Sequence, residues 1–267
     1  MVQKLPITVV IPTLNEAWQI AEAMDALSWA DEVIVADGGS TDDTVTIARE
    51  RGAKVMEVTG TTIAGQRNAA IAVARNEWVL ALDADERVTD DLRDELAQVV
   101  ATPTPTPTPP QVAYRIRCQN IYLGHERRRG KWGRDWHVRL FRREQRFVDD
   151  RVHERLEPVP NPGTLRSPIR HLPYRDLTHQ LQKIILYARW GAQDLYARGR
   201  RATLLDLTAR PLWRFFRDYV LYGSVLDGRV GLVASGLTAY AAFLKYVYLW
   251  DLSAHPHPHP HPHPTPA

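Results

Sequence analysis

Asp83 and Asp85, separated by a single alanine, close an apolar run from Trp78 to Leu82. In an extended chain residues i and i+2 face the same side, so carboxylates spaced this way repel one another unless a cation or a proton lies beside them. A hard divalent ion meets that need. Mg²⁺ is typically held by one or two carboxylates, with water and substrate phosphate oxygens completing its shell. Taken alone the pair is a weak signal, because short acidic motifs recur in solvated turns.

The surrounding pattern sharpens it. Ile7 to Ile11, Glu32 to Ala36, Lys54 to Val58 and Trp78 to Leu82 are short runs rich in β-branched or apolar residues, and they predict strands. Between them Glu16 to Trp29, Asp42 to Arg51 and Ile63 to Arg75 are amphipathic and of helical length. Strands alternating with helices imply right-handed crossovers and a parallel sheet covered on both faces. Only the strand ends then remain accessible. Ligands of open α/β sheets bind outside the carboxyl ends of the strands, and three of these ends carry acid: Asn15-Glu16, Asp37-Gly38-Gly39-Ser40 and Asp83-Ala84-Asp85. The glycine pair permits a tight turn with positive φ, and Thr41 or Asp42 is placed to cap the next helix. No G-x-G-x-x-G follows the first strand, which disfavours a nicotinamide-dinucleotide fold, and the G-x-x-x-x-G-K-[ST] phosphate loop is missing too.

Four motifs in this order, Pro12-Thr13-Leu14-Asn15-Glu16, Asp37-Gly38-Gly39-Ser40-Thr41-Asp42-Asp43-Thr44, Gly65-Gln66-Arg67-Asn68-Ala69 and Asp83-Ala84-Asp85-Glu86, resemble the N-terminal half of family 2 glycosyltransferases. Further along, Asp135 to Arg143, the triplet Val152-His153-Glu154, Tyr219 to Gly231 and Phe243 to Tyr246 are similar to the branch that includes lipopolysaccharide core-biosynthesis glucosyltransferases. The likeness covers most of residues 5 to 250. One segment departs from it: Trp132-Gly133-Arg134-Asp135 stands where that branch usually reads tryptophan, tyrosine, proline, aspartate.

The resemblance implies an α/β fold of the GT-A type, a mostly parallel twisted sheet flanked by helices, with a C-terminal helical appendage. It implies a nucleotide-sugar donor, an Mg²⁺ or Mn²⁺ cofactor and inversion at the transferred sugar. Asp85 is then the first metal ligand, and Asp83 a second ligand or a ribose contact. His153 assists the metal or the diphosphate. Pro12, Thr13 and Glu16 lie against the nucleoside, Asp37 against the base edge, and Arg67 near the base or diphosphate. Glu154 is the expected general base and Asp135 its alternative. Structural roles compete: Glu16 and Asp37 as helix caps, Arg67 as a surface ion-pair partner.

At 267 residues and 44% apolar, the chain can bury a substantial core. Its net charge of +3 conceals an asymmetry: residues 1 to 110 hold 8 Lys+Arg against 18 Asp+Glu, and the remainder 26 against 13. A metal-seeking half precedes a basic half suited to a phosphorylated glycolipid or an anionic membrane surface. Nucleic acid is disfavoured, since no nucleic-acid module accompanies Arg127-Arg128-Arg129-Gly130-Lys131. The single Cys118 cannot form an internal disulfide, which fits a reducing cytosol, and it is expected as a small buried hydrophobe in a strand from Val112. The apolar run in Met1 to Pro12 is too short for a signal peptide. A cytoplasmic site, peripheral on the inner membrane, follows as the expectation.

The expected divisions are residues 1–101 for the donor-binding half, 102–111 for a Thr/Pro spacer and 112–175 for the acceptor and catalytic half. A helical, membrane-associating region over 176–252 and a disordered His/Pro tail over 253–267 complete the chain. In the helical region Leu177, Leu181, Ile184, Ile185, Ala188, Ala192 and Leu195 recur at helical spacing. Pro211 suits the first turn of a second helix that carries Arg210, Arg214 and Arg217 among aromatic residues, and Val230 to Trp250 forms a third. Aromatic and basic residues together suggest helices lying in the membrane interface rather than crossing it. The leading reading is sugar transfer to a cell-envelope glycolipid, plausibly lipopolysaccharide core. A polyprenyl phosphate or protein acceptor would keep the chemistry, although the long transmembrane hairpins that favour the former are missing, and a catalytically silent membrane-bound protein would not. Oligomeric state is not encoded in any of these signals.

Overall fold

The computed structural model describes residues 4–101, 111–129, 131–148 and 155–255. The Thr/Pro spacer, the triplet Val152-His153-Glu154 and the His/Pro tail from residue 256 lie outside them. Two compact units are present: residues 4–118 with 136–171, and residues 119–135 with 172–255.

The first unit is an α/β sheet. In chain order it contains β1 (Leu5–Thr13), α1 (Ala17–Asp25), β2 (Ala30–Asp37), α2 (Thr44–Glu50), β3 (Lys54–Glu57), α3 (Ile63–Ala72), β4 (Trp78–Ala81), β5 (Glu86–Val88) and α4 (Asp90–Ala101). Then come β6 (Ala113–Tyr122), whose residues 113–118 belong here, β7 (His125–Glu126) of the other unit, and β8 (Trp136–Arg142). The short strands β9 (Phe147–Val148), β10 (Arg155–Leu156), β11 (Gly163–Thr164) and β12 (Ile169–His171) complete it. The main strand order is β3-β2-β1-β4-β8-β6-β12-β5. β1 pairs in parallel with both β2 and β4, and β2 with β3, whereas β8 runs antiparallel to β4 and β6.

The period of two in the apolar runs sorts side chains onto the two faces. Ile7, Val9, Ile11, Val35, Leu80 and Leu82 pack in one core with Ile20 and Met24 of α1, Ala48 of α2 and Leu92 and Leu96 of α4. Val10, Ile34, Ala36, Val79 and Ala81 enter a second core with Ala64, Ala70 and Ile71 of α3. Both faces are therefore dry, and the register aligns Thr13 with Asp37 and Asp37 with Glu57 along one rim.

Several boundaries differ from the periodicity. α1 stops at Asp25 rather than Trp29, because Leu27 and Ala30 N–H groups turn back onto the Met24 and Leu27 carbonyls while the Trp29 indole N–H takes the Ala26 carbonyl. α3 stops at Ala72, where Val73 and Ala74 close tighter turns and the Arg75 N–H donates to the Glu32 carboxylate. Neither expected residue caps α2: Asp43 is its N-cap, and the Asp42 carboxylate instead accepts from the Thr44 N–H and from the Ala17 N–H of α1.

The second unit is helical, with α5 (Leu177–Ala197), α6 (Leu204–Leu207), α7 (Ala209–Phe216), a π-helical turn (Arg217–Leu221), a 3₁₀ turn (Ser224–Asp227) and α8 (Gly228–Ala254). The buried line of α5 is Gln180, Ile184, Ala188 and Ala192, so Leu177 and Ile185 of the expected stripe are exposed. Tyr122 donates to the Gln180 side chain at 2.7 Å, which explains the polar residue in that line. Ala192 meets Tyr246 and Leu249 of α8 in a small core.

Candidate active site

The loops after β1 and β2 are laced together. Asn15 adopts φ +59° and its side-chain oxygen accepts from the Thr41 N–H at 2.8 Å, while its own N–H donates to Ser40 Oγ at 2.8 Å. Glu16 N–H donates to Thr44 Oγ1, and the Glu16 carboxylate accepts from the Gln19 amide at 2.6 Å. Asp37 is fully enclosed. One of its oxygens accepts from the Gly39 and Ser40 N–H groups at 2.9 and 2.8 Å, the other from Ser40 Oγ and, at 3.2 Å, from Thr13 Oγ1. Gly39 supplies the left-handed turn at φ +103°, and a Cβ on Gly38 would lie 2.3 Å from the Gln66 amide nitrogen. Asp37 thus shapes the loop that, with half-buried Pro12 and buried Thr13, forms the rim at the ends of β1 and β2.

The acidic pair corrects an expectation. β4 ends at Ala81, and Asp83 to Asp85 form a turn in which the Glu86 N–H donates to the Asp83 carbonyl. The same-side rule for extended chain no longer applies, and the two carboxylates meet different cations. Asp83 is bridged by Arg67 on one oxygen and by Arg139 Nη2 at 3.1 Å on the other. Arg139 also pairs with Glu86 at 2.5 Å, and Glu86 accepts from the Asp83 N–H at 2.9 Å and from Cys118 Sγ at 3.6 Å. Arg67, expected near the base or diphosphate or as a surface ion-pair partner, is buried, with its guanidinium 4.9 Å from the Phe147 ring centroid.

Burial opposes every charge in this network. For Asp83 the burial cost is outweighed by Arg67 and Arg139, which hold its carboxyl well below the ordinary carboxylate range. For Glu86 burial prevails, with Asp83 adding to it against Arg139, and the pKa rises. Arg139 is driven further up by Glu86 and Asp83 despite its burial.

Asp85 faces His171 at the end of β12, with Oδ2 3.2 Å from Nε2. Burial would lower the imidazole pKa, but the hydrogen bond and charge of Asp85 raise it to about 9. Among the described residues, Asp85 Oδ1 is buried without a hydrogen-bond partner. Such an oxygen carries a desolvation penalty unless something else coordinates it. A buried carboxylate oxygen left uncommitted among the described residues is a hard donor that fits Mg²⁺ or Mn²⁺, while His171, protonated at neutral pH, holds the other oxygen in place.

The structure therefore assembles Asp83, Asp85 and Arg67 at one strand end and Thr13, Glu16 and Asp37 around the next. Asp135 belongs to the other unit, where its carboxylate accepts from Asn120 at 3.4 Å. Glu154 and His153 fall outside the described residues. The sequence reading assigned no role to Arg139 or His171. Arg139 had a signal, since it interrupts an otherwise apolar run at a buried position of β8, whereas nothing near His171 announces Asp85.

A parallel sheet with a carboxylate-bearing rim, an acidic turn after its fourth strand and antiparallel strands beyond it defines an α/β transferase of the GT-A type. Residues 8–155 match the family model described as glycosyl transferase family 2, and the chain belongs to that family, whose members use nucleotide-sugar donors. It is 28% identical over 258 residues to an uncharacterized glycosyltransferase of Rickettsia typhi, covering 92% of this chain and 87% of that one. It is 26% identical over 262 residues to the lipopolysaccharide core biosynthesis glycosyltransferase LpsC of Rhizobium meliloti, covering 95% of each. Among solved structures, S. aureus TarS 1-349 aligns over 95% of this chain and 92% of that one at 15% identity and a TM-score of 0.47. Glucosyl-3-phosphoglycerate synthase from Mycobacterium tuberculosis, in complex with Mn²⁺, UDP and glucosyl-3-phosphoglycerate, aligns over 43% of each at 23% identity and a TM-score of 0.33.

Proposed function

We propose that this chain is a metal-dependent, inverting hexosyltransferase that moves a sugar from a nucleotide donor to a cell-envelope glycolipid, with lipopolysaccharide core as the acceptor class. The observation that carries the metal assignment is Asp85, whose buried Oδ1 lacks a hydrogen-bond partner among the described residues. Asp85 would hold the cation, with His153 as a further donor and His171 fixing the other Asp85 oxygen. Bound there, the cation supplies neutralisation of the diphosphate as the anomeric bond breaks.

Asp83 contributes as a ribose contact rather than as a ligand, because two guanidiniums already claim its oxygens. Arg67 and Arg139 fix its orientation. Pro12, Thr13 and Glu16 line the nucleoside pocket, and Asp37 holds the turn that presents backbone to the base edge. Glu154 accepts the proton of the acceptor hydroxyl while that oxygen bonds to the anomeric carbon and the donor diphosphate leaves from the opposite face; Asp135 is the second candidate for this proton. The similarity to LpsC supports a core glycolipid acceptor, as does the positive excess after residue 110. A cytoplasmic enzyme peripheral on the inner membrane accords with both.

The test is donor hydrolysis. With Mn²⁺ or Mg²⁺ present, a panel of nucleotide sugars should include one that is cleaved slowly and that raises the melting temperature, as a ligand of the native state must. A panel that yields neither stabilisation nor cleavage with either metal would overturn the proposal in favour of a silent binding protein.

A further inference from the structure

The helical unit exposes apolar surface on a scale the sheet unit does not. Among the described large apolar residues of the sheet unit, only Trp18, Val73 and Trp136 are exposed. Residues 204–226, by contrast, present Leu204 at 77%, Leu212 at 71%, Leu226 at 71% and Trp213 at 55% exposure, with Leu205 and Leu221 beside them. α7 buries no residue at all. Monomeric soluble domains seldom leave so many large apolar side chains of one segment exposed without a partner.

The charges of this segment are sorted by sign. Residues 198–229 contain seven arginines and three aspartates, with no lysine or glutamate. Asp206 is buried, holding the Thr203 capping box and pairing with Arg210 and Arg200. Asp227 turns inward to Arg127 at 3.0 Å, and Asp218 pairs with Arg214 at 3.2 Å. Arg198, Arg200, Arg201, Arg210 and Arg229 remain exposed. Arg210 and Lys245 both lie over the Tyr246 ring, at 5.5 and 4.8 Å from its centroid. Burial, and after it the nearness of Arg214 and Arg210, lowers the Lys245 pKa against the opposing charge of Asp206.

We propose that α6, α7 and the π and 3₁₀ turns after it form a membrane-docking shelf, whose leucines and Trp213 enter the interfacial layer of an anionic bilayer while the surrounding arginines engage lipid phosphates. The shelf deepens the glycolipid-acceptor reading and rests on it for its purpose. Charge selects the occupant. A second copy of the same face would bring arginine against arginine with the aspartates already committed, whereas a bilayer offers apolar depth and negative headgroups together. α8 is long and apolar enough to be a candidate span by length and composition; it packs against α5 and α7 through Gly231, Ser235, Tyr246 and Leu249, while Leu232, Val233, Tyr240, Phe243 and Trp250 stay exposed. α8 ties the shelf to α5, and α7 is the contact.

Flotation of the full chain with phosphatidylcholine vesicles, with and without phosphatidylglycerol, tests this. Wild-type protein should float with the anionic vesicles about tenfold more than with neutral ones, and added salt should release it. The double variant L212E/W213E should lose about tenfold of that binding while keeping its circular dichroism spectrum and metal-dependent donor hydrolysis. Equal flotation of variant and wild type, or none by either, overturns the shelf. So does a wild-type dimer that the variant dissociates, which gives the face to a second copy, or retention through an alkaline carbonate wash, which makes α8 a span. Donor hydrolysis without vesicle binding sinks the shelf alone; vesicle binding without donor hydrolysis sinks the proposed function alone.

Discussion

Asp85 turns one carboxylate oxygen to within 3.2 Å of His171 Nε2 and leaves the other buried with no hydrogen-bond partner among the described residues. Asp83, two residues earlier, has both oxygens engaged by arginine. A pair that looks symmetric in sequence is divided into an anchored member and an available one.

Asp85→Ala should therefore abolish Mn²⁺ binding and donor hydrolysis while leaving the protein folded, at some cost in stability because the Oδ2 contact with His171 is deleted as well. Calorimetric titration with Mn²⁺ and a melting curve check both halves. Near-normal activity would remove the metal assignment.

Arg139→Met should be far more damaging to the fold. It deletes the cation shared by Asp83 and buried Glu86, and breaking a buried ion pair costs about 3–5 kcal/mol. Arg139→Lys should recover only part of this, since a compact, strongly hydrated ammonium costs more to bury than the guanidinium whose Nη2 meets both acids. Denaturant unfolding of the three proteins gives the comparison, and a wild-type midpoint for the methionine variant would refute the role.

Glu154→Gln should slow turnover by about 10² to 10⁴-fold, the usual worth of a general base, with nucleotide-sugar affinity retained. Single-turnover kinetics beside equilibrium donor binding separate the two effects. If turnover is unchanged, Asp135→Asn becomes the decisive variant.

Acid should weaken the helical unit through Asp206. Burial acts to raise its pKa, but hydrogen bonds from Thr203 and the charges of Arg210 and Arg200 bring it below the ordinary carboxylate value of 3.8. A depressed folded-state pKa gives stability that is present above 3.8 and lost as pH falls through the lower folded value. Asp206→Asn should cost about 1 kcal/mol at neutral pH, the scale of an N-cap contribution, and should flatten the pH dependence below 4. Melting temperatures of both proteins across acidic pH provide the check.

Much of the sheet was legible because burial on both faces leaves a strong local trace. Ile7, Val9 and Ile11 face one core and Val10 the other, as a period of two requires. Cys118 likewise proved a buried strand residue. Helix ends were less legible. The Arg75 N–H leaves its helix for Glu32, a partner distant in sequence, and no local pattern reports such a bond.

By itself, the amino-acid sequence determined the order of the first four strands and the three helices between them, the acid beyond three strand ends and the sign of charge in each half, since these depend on local periodicity and composition. Tertiary structure alone decided that Asp83 belongs to Arg67 and Arg139, that Asp85 belongs to His171, and that α7 buries none of its residues. Contacts between distant residues decide those matters, and a buried charge is defined by the neighbour that the fold brings to it.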